Sequence, residues 1–221
     1  MPKSIAEVVA HNRRSGRGFD PRGEPRAYTD REFYEIAEEL GHTQRHAAYR
    51  AVHERLAMWI RDTLPISTAL EIGAGPGYLL YCMNKLGIDA YGVDGNELFQ
   101  TFYREHHPEF AERYLLDRLF EKNYGPADAV VTIEVFEHIP EEGLHNILAK
   151  VQAQVRPKYI VFSSTPHADP NPGWDLQWGH INMKPAEEWQ RLFRRYGYEV
   201  TQQPRPPVTE WAALYVAAGG T

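Results

Sequence analysis

Cysteine is nearly absent: Cys82 is the one thiol in 221 residues. A lone cysteine makes no internal disulfide, which fits a reducing compartment. Lying in an apolar helical run, Cys82 reads as a small packed side chain rather than a nucleophile. The chain also lacks any apolar run near the roughly 18 residues that cross a bilayer, so a membrane span is not expected. Its first residues, MPKSIAEVVAHNRRSGRG, lack the apolar stretch and small-residue cleavage site of a secretory signal, so the expected location is the cytoplasm. An excess of positive charge is missing too. The net charge of −6 counts against a nonspecific polyanion binder and makes nucleic acid an unexpected partner. Internal repeats and low-complexity tracts are absent as well.

What is present is an ordinary globular composition, 43% hydrophobic and 24% charged, at a length that fits one domain with a full core. The densest basic cluster runs from His11 to Arg26, where Arg13, Arg14, Arg17, Arg22 and Arg26 are mixed with Gly and Pro. Such a segment reads as a solvated, partly disordered arm in preference to a phosphate-binding one, and Ser15 to Pro25 as a flexible leader. Two helical patterns follow. Asp30 can cap one that ends near Gly41, and Thr43 a longer one carrying Tyr49, Val52, Leu56 and Ile60 at helical spacing. Residues 1–66 are thus expected to form an arm and a helical lid, and residues 67–221 the core.

From Thr68 the pattern changes to short apolar runs alternating with helices. Strands are expected at ALEIGA, at DAYGVDG, at Arg113 to Asp117, at Ala127 to Ile133 and at Lys158 to Ser164. Helices fall at Tyr78 to Leu86, Glu97 to His107, Pro140 to about Val155 and Pro185 to Tyr196. The alternation predicts an α/β fold, a parallel sheet with helices on both faces. The last two strands, Tyr198 to Gln203 and Trp211 to Ala218, have no helix between them and read as a pair.

The segment Glu71-Ile72-Gly73-Ala74-Gly75-Pro76-Gly77 lies between a strand and a helix, where glycines let a ligand approach the backbone. Glycines at 73, 75 and 77 do not make the G-x-G-x-x-G that seats a pyrophosphate. Glu71 would complement an ammonium or sulfonium group and repel a pyrophosphate. Asp94 follows about twenty residues later, where an acidic side chain accepts hydrogen bonds from ribose hydroxyls. The bland alternatives are an edge carboxylate for Glu71 and a helix cap for Asp94.

A second constellation follows the fourth strand, in Thr132-Ile133-Glu134-Val135-Phe136-Glu137-His138-Ile139-Pro140. On a helical turn, Glu134, Glu137 and His138 would share one face at i, i+3 and i+4. Two carboxylates and an imidazole suit Mg²⁺, Mn²⁺ or Zn²⁺, with Mg²⁺ leading, and the lack of thiolates disfavours a structural zinc site. A fourth ligand should come from a loop after a later strand, and His180 in Trp178-Gly179-His180-Ile181-Asn182 is the candidate. Trp174 and Trp178, with Asp169, Asn171 and Asp175, offer aromatic faces and polar groups to a sugar ring or a planar base, or pack as a lid.

ALEIGAGPGYL and YGVDGNE resemble the first two motifs of the class I S-adenosylmethionine-dependent methyltransferases, over roughly Thr68 to Ala218. The resemblance implies a Rossmann-like, seven-stranded, mostly parallel sheet with an antiparallel last strand. It implies that Glu71 holds the methionine end of S-adenosylmethionine, that Asp94 binds ribose and that Asp117 lies near adenine. The cofactor-contacting set is then Glu71, Gly73, Ala74, Gly75, Gly77, Asp94, Gly95, Asp117 and Ile133. Glu-x-x-Glu-His with a later His is similar to the metal-dependent O-methyltransferase branch, which includes ubiquinone-pathway and small-RNA 3′-end enzymes. The TPH…WGH stretch is similar to sugar O-methyltransferases acting on mycobacterial methylmannosides. That resemblance implies metal ligands Glu134, Glu137, His138 and His180, an ion that lowers an acceptor hydroxyl's pKa, and a catalytic set of His138, His167 and Glu134.

His138, His145 and His167 are the candidate bases, with His167 first because a metal-bound imidazole is a poor base. The acidic balance disfavours an RNA end, and the acidic Glu32 to Leu40 helix is unlike a membrane-facing one, which disfavours a polyprenyl quinone precursor. A soluble sugar or oligosaccharide is the remaining acceptor, a homodimer is a compatible assembly, and a cofactor-binding scaffold without catalysis is the non-enzymatic alternative.

Overall fold

Val130 and Val131 are neighbours in one strand, and each is wholly buried against a different helical layer. That period-2 burial on both faces is what a parallel sheet sandwiched by helices demands. The computed structural model describes residues 2–24, 26, 28–165, 179–203 and 212–219. Its strands are β1 (Thr68–Ile72), β2 (Asp89–Asp94), β3 (Tyr114–Leu116), β4 (Ala129–Ile133), β5 (Tyr159–Ser164), β6 (Tyr198–Gln202) and β7 (Ala213–Gly219). They form one seven-stranded sheet in the order β3-β2-β1-β4-β5-β7-β6. The first five are mutually parallel, and β7 runs antiparallel to both β5 and β6. The expected Rossmann-like methyltransferase sheet, with its terminal pair, is therefore the observed one.

Seven α-helices accompany it among the described residues: α1 (Ile5–Ser15), α2 (Asp30–Leu40), α3 (Ala47–Thr63), α4 (Tyr78–Lys85), α5 (Glu97–His106), α6 (Glu141–Lys150) and α7 (Ala186–Arg194). Helices α3, α4 and α5 bury Leu56, Ile60, Leu79, Met83 and Phe99 against one face. Helices α6 and α7 cover the other, where Phe193 stacks on Phe162 at 4.7 Å between centroids. Cys82 is buried, and burial pushes its thiol up to about 12, consistent with an inert packed side chain. Among the described residues no helix is long and apolar enough to cross a membrane.

The N-terminal third differs from expectation. Residues 5–15 form a capped helix, with Ser4 and Glu7 making a reciprocal capping box. Arg17 is buried: its guanidinium donates to Asn12 Oδ1 at 2.6 Å and reaches both Glu39 carboxylate oxygens, at 3.2 and 2.8 Å. The expected solvated arm is instead pinned to α2, which packs on α5 through Phe33 and Tyr34 against Phe99. Thr29, rather than Asp30, caps α2. Thr43 is fully buried and caps nothing, so α3 begins four residues later.

Candidate functional site

The C-terminal ends of β1, β2 and β4 lie side by side, and a crevice beyond such strand ends is the usual ligand position in an open α/β sheet. The glycine turn after β1 is fixed by its backbone: Gly73 and Ala74 both donate to the Val93 carbonyl, at 2.8 and 3.0 Å. Gly75 N–H donates to Asp94 Oδ2 at 2.9 Å, and Tyr114 Oη donates to the Gly75 carbonyl at 2.6 Å. Gly73 has φ +71°, and a Cβ there would lie 2.5 Å from Val135 Cγ2, so this turn abuts the segment after β4. A Cβ on Gly75 would meet nothing within 4 Å among the described residues, so open space lies beside it. Gly77 starts α4 against the Tyr103 ring.

Glu71 is 4% exposed, and its Oε2 has no hydrogen-bond partner among the described residues. Burial, then the nearby Asp94 carboxylate, pushes its pKa well above the ordinary carboxyl range. The Leu80 N–H opposes the shift, but a buried carboxylate with one oxygen unpaired is still costly, and a cationic ligand would satisfy it. An ammonium or sulfonium therefore fits this crevice and a pyrophosphate does not. Burial raises Asp94 as well, while the N–H groups of Asn96 and Gly75 oppose the shift. Tyr49, from α3, has its phenol raised by burial and then by Glu71, so the lid helix brings a hydroxyl within the field of the same carboxylate.

Gly95 and the end of β2 are tied to the lid. Arg118 Nη2 reaches the Gly95 carbonyl at 3.1 Å and Asp30 Oδ2 at 2.6 Å. Asp117 is buried, and its carboxylate accepts N–H bonds from Glu121 (3.1 Å) and Lys122 (2.8 Å) and the Tyr124 hydroxyl. These bonds hold the side chain expected near adenine against the turn that follows β3. Ile133 is half-buried at the end of β4.

After Ile133 the expected helical face does not form. Glu134 N–H is engaged by Ser163 of β5, at 3.3 Å to its carbonyl and 3.1 Å to its Oγ, and the residue takes φ +55°. A single 3₁₀ turn, Phe136–His138, follows. Glu137, His138 and His180 each offer a ligand atom, and these atoms all lie within 4.8 Å of one another. The two imidazole centroids are 4.9 Å apart. Glu134 is outside this group: its Oε1 accepts the Ser163 hydroxyl at 2.7 Å. Glu137 is fully buried with neither carboxylate oxygen hydrogen-bonded among the described residues. Burial and then Glu134 push its pKa well above the ordinary value. Three convergent hard or borderline donors, one an orphaned carboxylate, fit a divalent cation.

Of the candidate bases, His138 is within this cluster. His145 is elsewhere, with Nδ1 2.6 Å from Tyr196 Oη and Nε2 3.4 Å from Glu141. His167, Trp174, Trp178, Asp169, Asn171 and Asp175 lie outside the described residues. Ser163, which bonds Glu134, and Asn182, which donates to the Ile139 carbonyl, carried no sequence signal of their own.

A family model described as a methyltransferase domain matches residues 25–203. The ubiquinone biosynthesis O-methyltransferase of Pseudomonas paraeruginosa (strain DSM 24068 / PA7) is 28% identical over 119 residues, 51% of this chain and 50% of that protein. The chain thus matches about half the length of that relative. Among solved structures, the mitomycin 7-O-methyltransferase MmcR is similar with a TM-score of 0.66 and 15% identity, covering 98% of this chain and 67% of that one. The methyltransferase domain of bacterial CtHen1 has a TM-score of 0.60 at 18% identity, covering 78% of this chain and 98% of that one. At these identities the structures speak for the fold.

Proposed function

Because the chain belongs to the methyltransferase-domain family, we propose that it transfers the methyl group of S-adenosylmethionine to a hydroxyl oxygen held beside a divalent cation. The observation that carries this reading is the convergence of Glu137, His138 and His180 next to a crevice suited to a cationic cofactor. S-adenosylmethionine supplies an electrophilic methyl on a sulfonium sulfur. A divalent ion lowers the pKa of a coordinated hydroxyl, which matters because an alcohol is a poor nucleophile at neutral pH.

The chain's own residues do the rest. Glu71 receives the cationic end of the cofactor, Asp94 its ribose, and the open face of Gly75 admits it against the backbone. Glu137, His138 and His180 hold the ion, with Glu134 behind Glu137 as a second negative charge. His167 takes the acceptor's proton, since His138 is committed to the ion and His145 to Tyr196 and Glu141. Juxtaposition of acceptor oxygen and methyl carbon supplies much of the rate.

A sugar or glycoside hydroxyl is the acceptor we favour, given the net charge of −6 and the Trp174 and Trp178 segment. Likeness to a ubiquinone biosynthesis O-methyltransferase favours a second reading, a catechol-type ring whose adjacent oxygens would chelate the same ion. The discriminating experiment is an acceptor screen with methyl-labelled cofactor, with and without Mg²⁺, over mono- and oligosaccharides, catechols and short RNA ends. Label in a sugar or catechol supports the reading and chooses between its two forms. Cofactor binding with no turnover on any hydroxyl would point to a non-catalytic scaffold.

A further inference from the structure

His180 reaches the cluster from a segment more than forty positions beyond Glu137, so something must hold it there. Residues 179–184 are fastened across the Glu137–His138 turn at several points. The N–H groups of Ile181 and Asn182 both donate to the Glu137 carbonyl, at 2.9 and 3.0 Å. Asn182 Nδ2 donates to the Ile139 carbonyl at 3.0 Å, and Asn182 is 7% exposed. Lys184 Nζ then pairs with Glu141 Oε2 at 2.6 Å, at the start of α6, with only 12% of the lysine side chain exposed. Glu137 therefore gives its carbonyl to the segment that carries His180 and its carboxylate to the group His180 joins. A carbonyl accepting two N–H bonds has its peptide plane fixed, and a buried amide between two loops fixes their separation.

We propose that Asn182 is a positioning residue that sets His180 against Glu137 and His138, with the Lys184–Glu141 pair as the second fastening of the same strap. The inference rests on the reading that this cluster binds a divalent ion. Partners that orient ligands from behind typically change metal affinity by about ten- to a hundredfold when removed.

The test is Mn²⁺ titration of the full chain, read by electron paramagnetic resonance of free Mn²⁺, for wild type, Asn182→Ala and Lys184→Met. S-adenosylmethionine affinity and thermal unfolding in chelator are measured alongside. We expect Asn182→Ala to raise the Mn²⁺ Kd by about ten- to a hundredfold, Lys184→Met to raise it several-fold, and cofactor affinity to stay within about twofold of wild type in both. If Asn182→Ala does not fold, a several-fold loss in Lys184→Met still supports the strap. Variants that bind Mn²⁺ as wild type does, with only the unfolding temperature lowered, overturn the positioning role and leave the metal reading intact. A wild-type chain that binds no Mn²⁺ overturns that reading, and this inference with it.

Discussion

Asp94 Oδ2 accepts the N–H of Gly75 at 2.9 Å, so the acid that ends β2 and the middle glycine of the turn after β1 are one unit. The same carboxylate helps raise the pKa of Glu71. Three motif positions thus form an acidic wall, with Glu71 Oε2 unpaired, beside the open side of Gly75.

Glu71→Gln removes the charge that a cationic cofactor would meet. S-adenosylmethionine should bind at least about tenfold more weakly, a loss of roughly 1.4 kcal/mol. The ligand-free chain should be no less stable, because the amide replaces a buried group that is costly to ionise. Calorimetric titration and urea unfolding check the two halves, and undiminished cofactor affinity would remove Glu71 from the site.

Gly75→Ala separates folding from binding in another way. With φ +51° the alanine costs roughly 1–2 kcal/mol of backbone strain and clashes with nothing among the described residues. Its methyl enters the crevice, so cofactor affinity should fall by more than the stability loss accounts for. Equal losses in a thermal-shift series with and without S-adenosylmethionine would show that the turn does not face the ligand.

The ligand-free chain should lose stability as pH rises, through its buried carboxyls, and also as pH falls, through two buried imidazoles. Glu71, Asp94 and Glu137 have folded pKa values raised by burial, so their folded form retains protons, and stability falls as pH rises through those values. His53 and His107 are pushed down to about 4, also by burial. Their contribution is complete above the unfolded value near 6.5 and disappears as pH falls toward 4. Urea midpoints against pH measure this. Glu71→Gln should lessen the fall with rising pH and leave the fall with falling pH unchanged, and a variant whose profile matches wild type would contradict the assignment.

His167→Ala should lower kcat by about 10²- to 10⁴-fold while cofactor affinity holds, as expected of a lost general base. His145→Ala should leave kcat near wild type, because both its ring nitrogens are engaged away from the cluster. Reversed effects would move the proton acceptor to α6.

The sheet was legible because its signals are local: apolar runs of strand length, glycines between strand and helix, and an acid about twenty residues on. The N-terminal third was not. Arg17 lies in a Gly- and Pro-rich stretch that composition alone reads as a leader, and its partner Glu39 is 22 residues away. The same limit explains Glu134. Its spacing to Glu137 and His138 suits one helical face, but β4 stays bonded to β5 for one more residue through Ser163, which turns Glu134 out of that face. Three of the four expected ligands converge regardless, because His180 is brought in by hydrogen bonds to the Glu137 carbonyl that no spacing rule anticipates.

The most direct test of the central claim is the rate of labelled methyl transfer to the acceptor by chelator-stripped protein, before and after Mg²⁺ is restored, in wild type and His180→Ala. An ion that stabilises a developing alkoxide by several kcal/mol predicts a loss of at least about a hundredfold on stripping. It also predicts recovery on Mg²⁺ addition in wild type and little recovery in His180→Ala. Full activity in the stripped wild-type enzyme, or equal recovery in the variant, would contradict it.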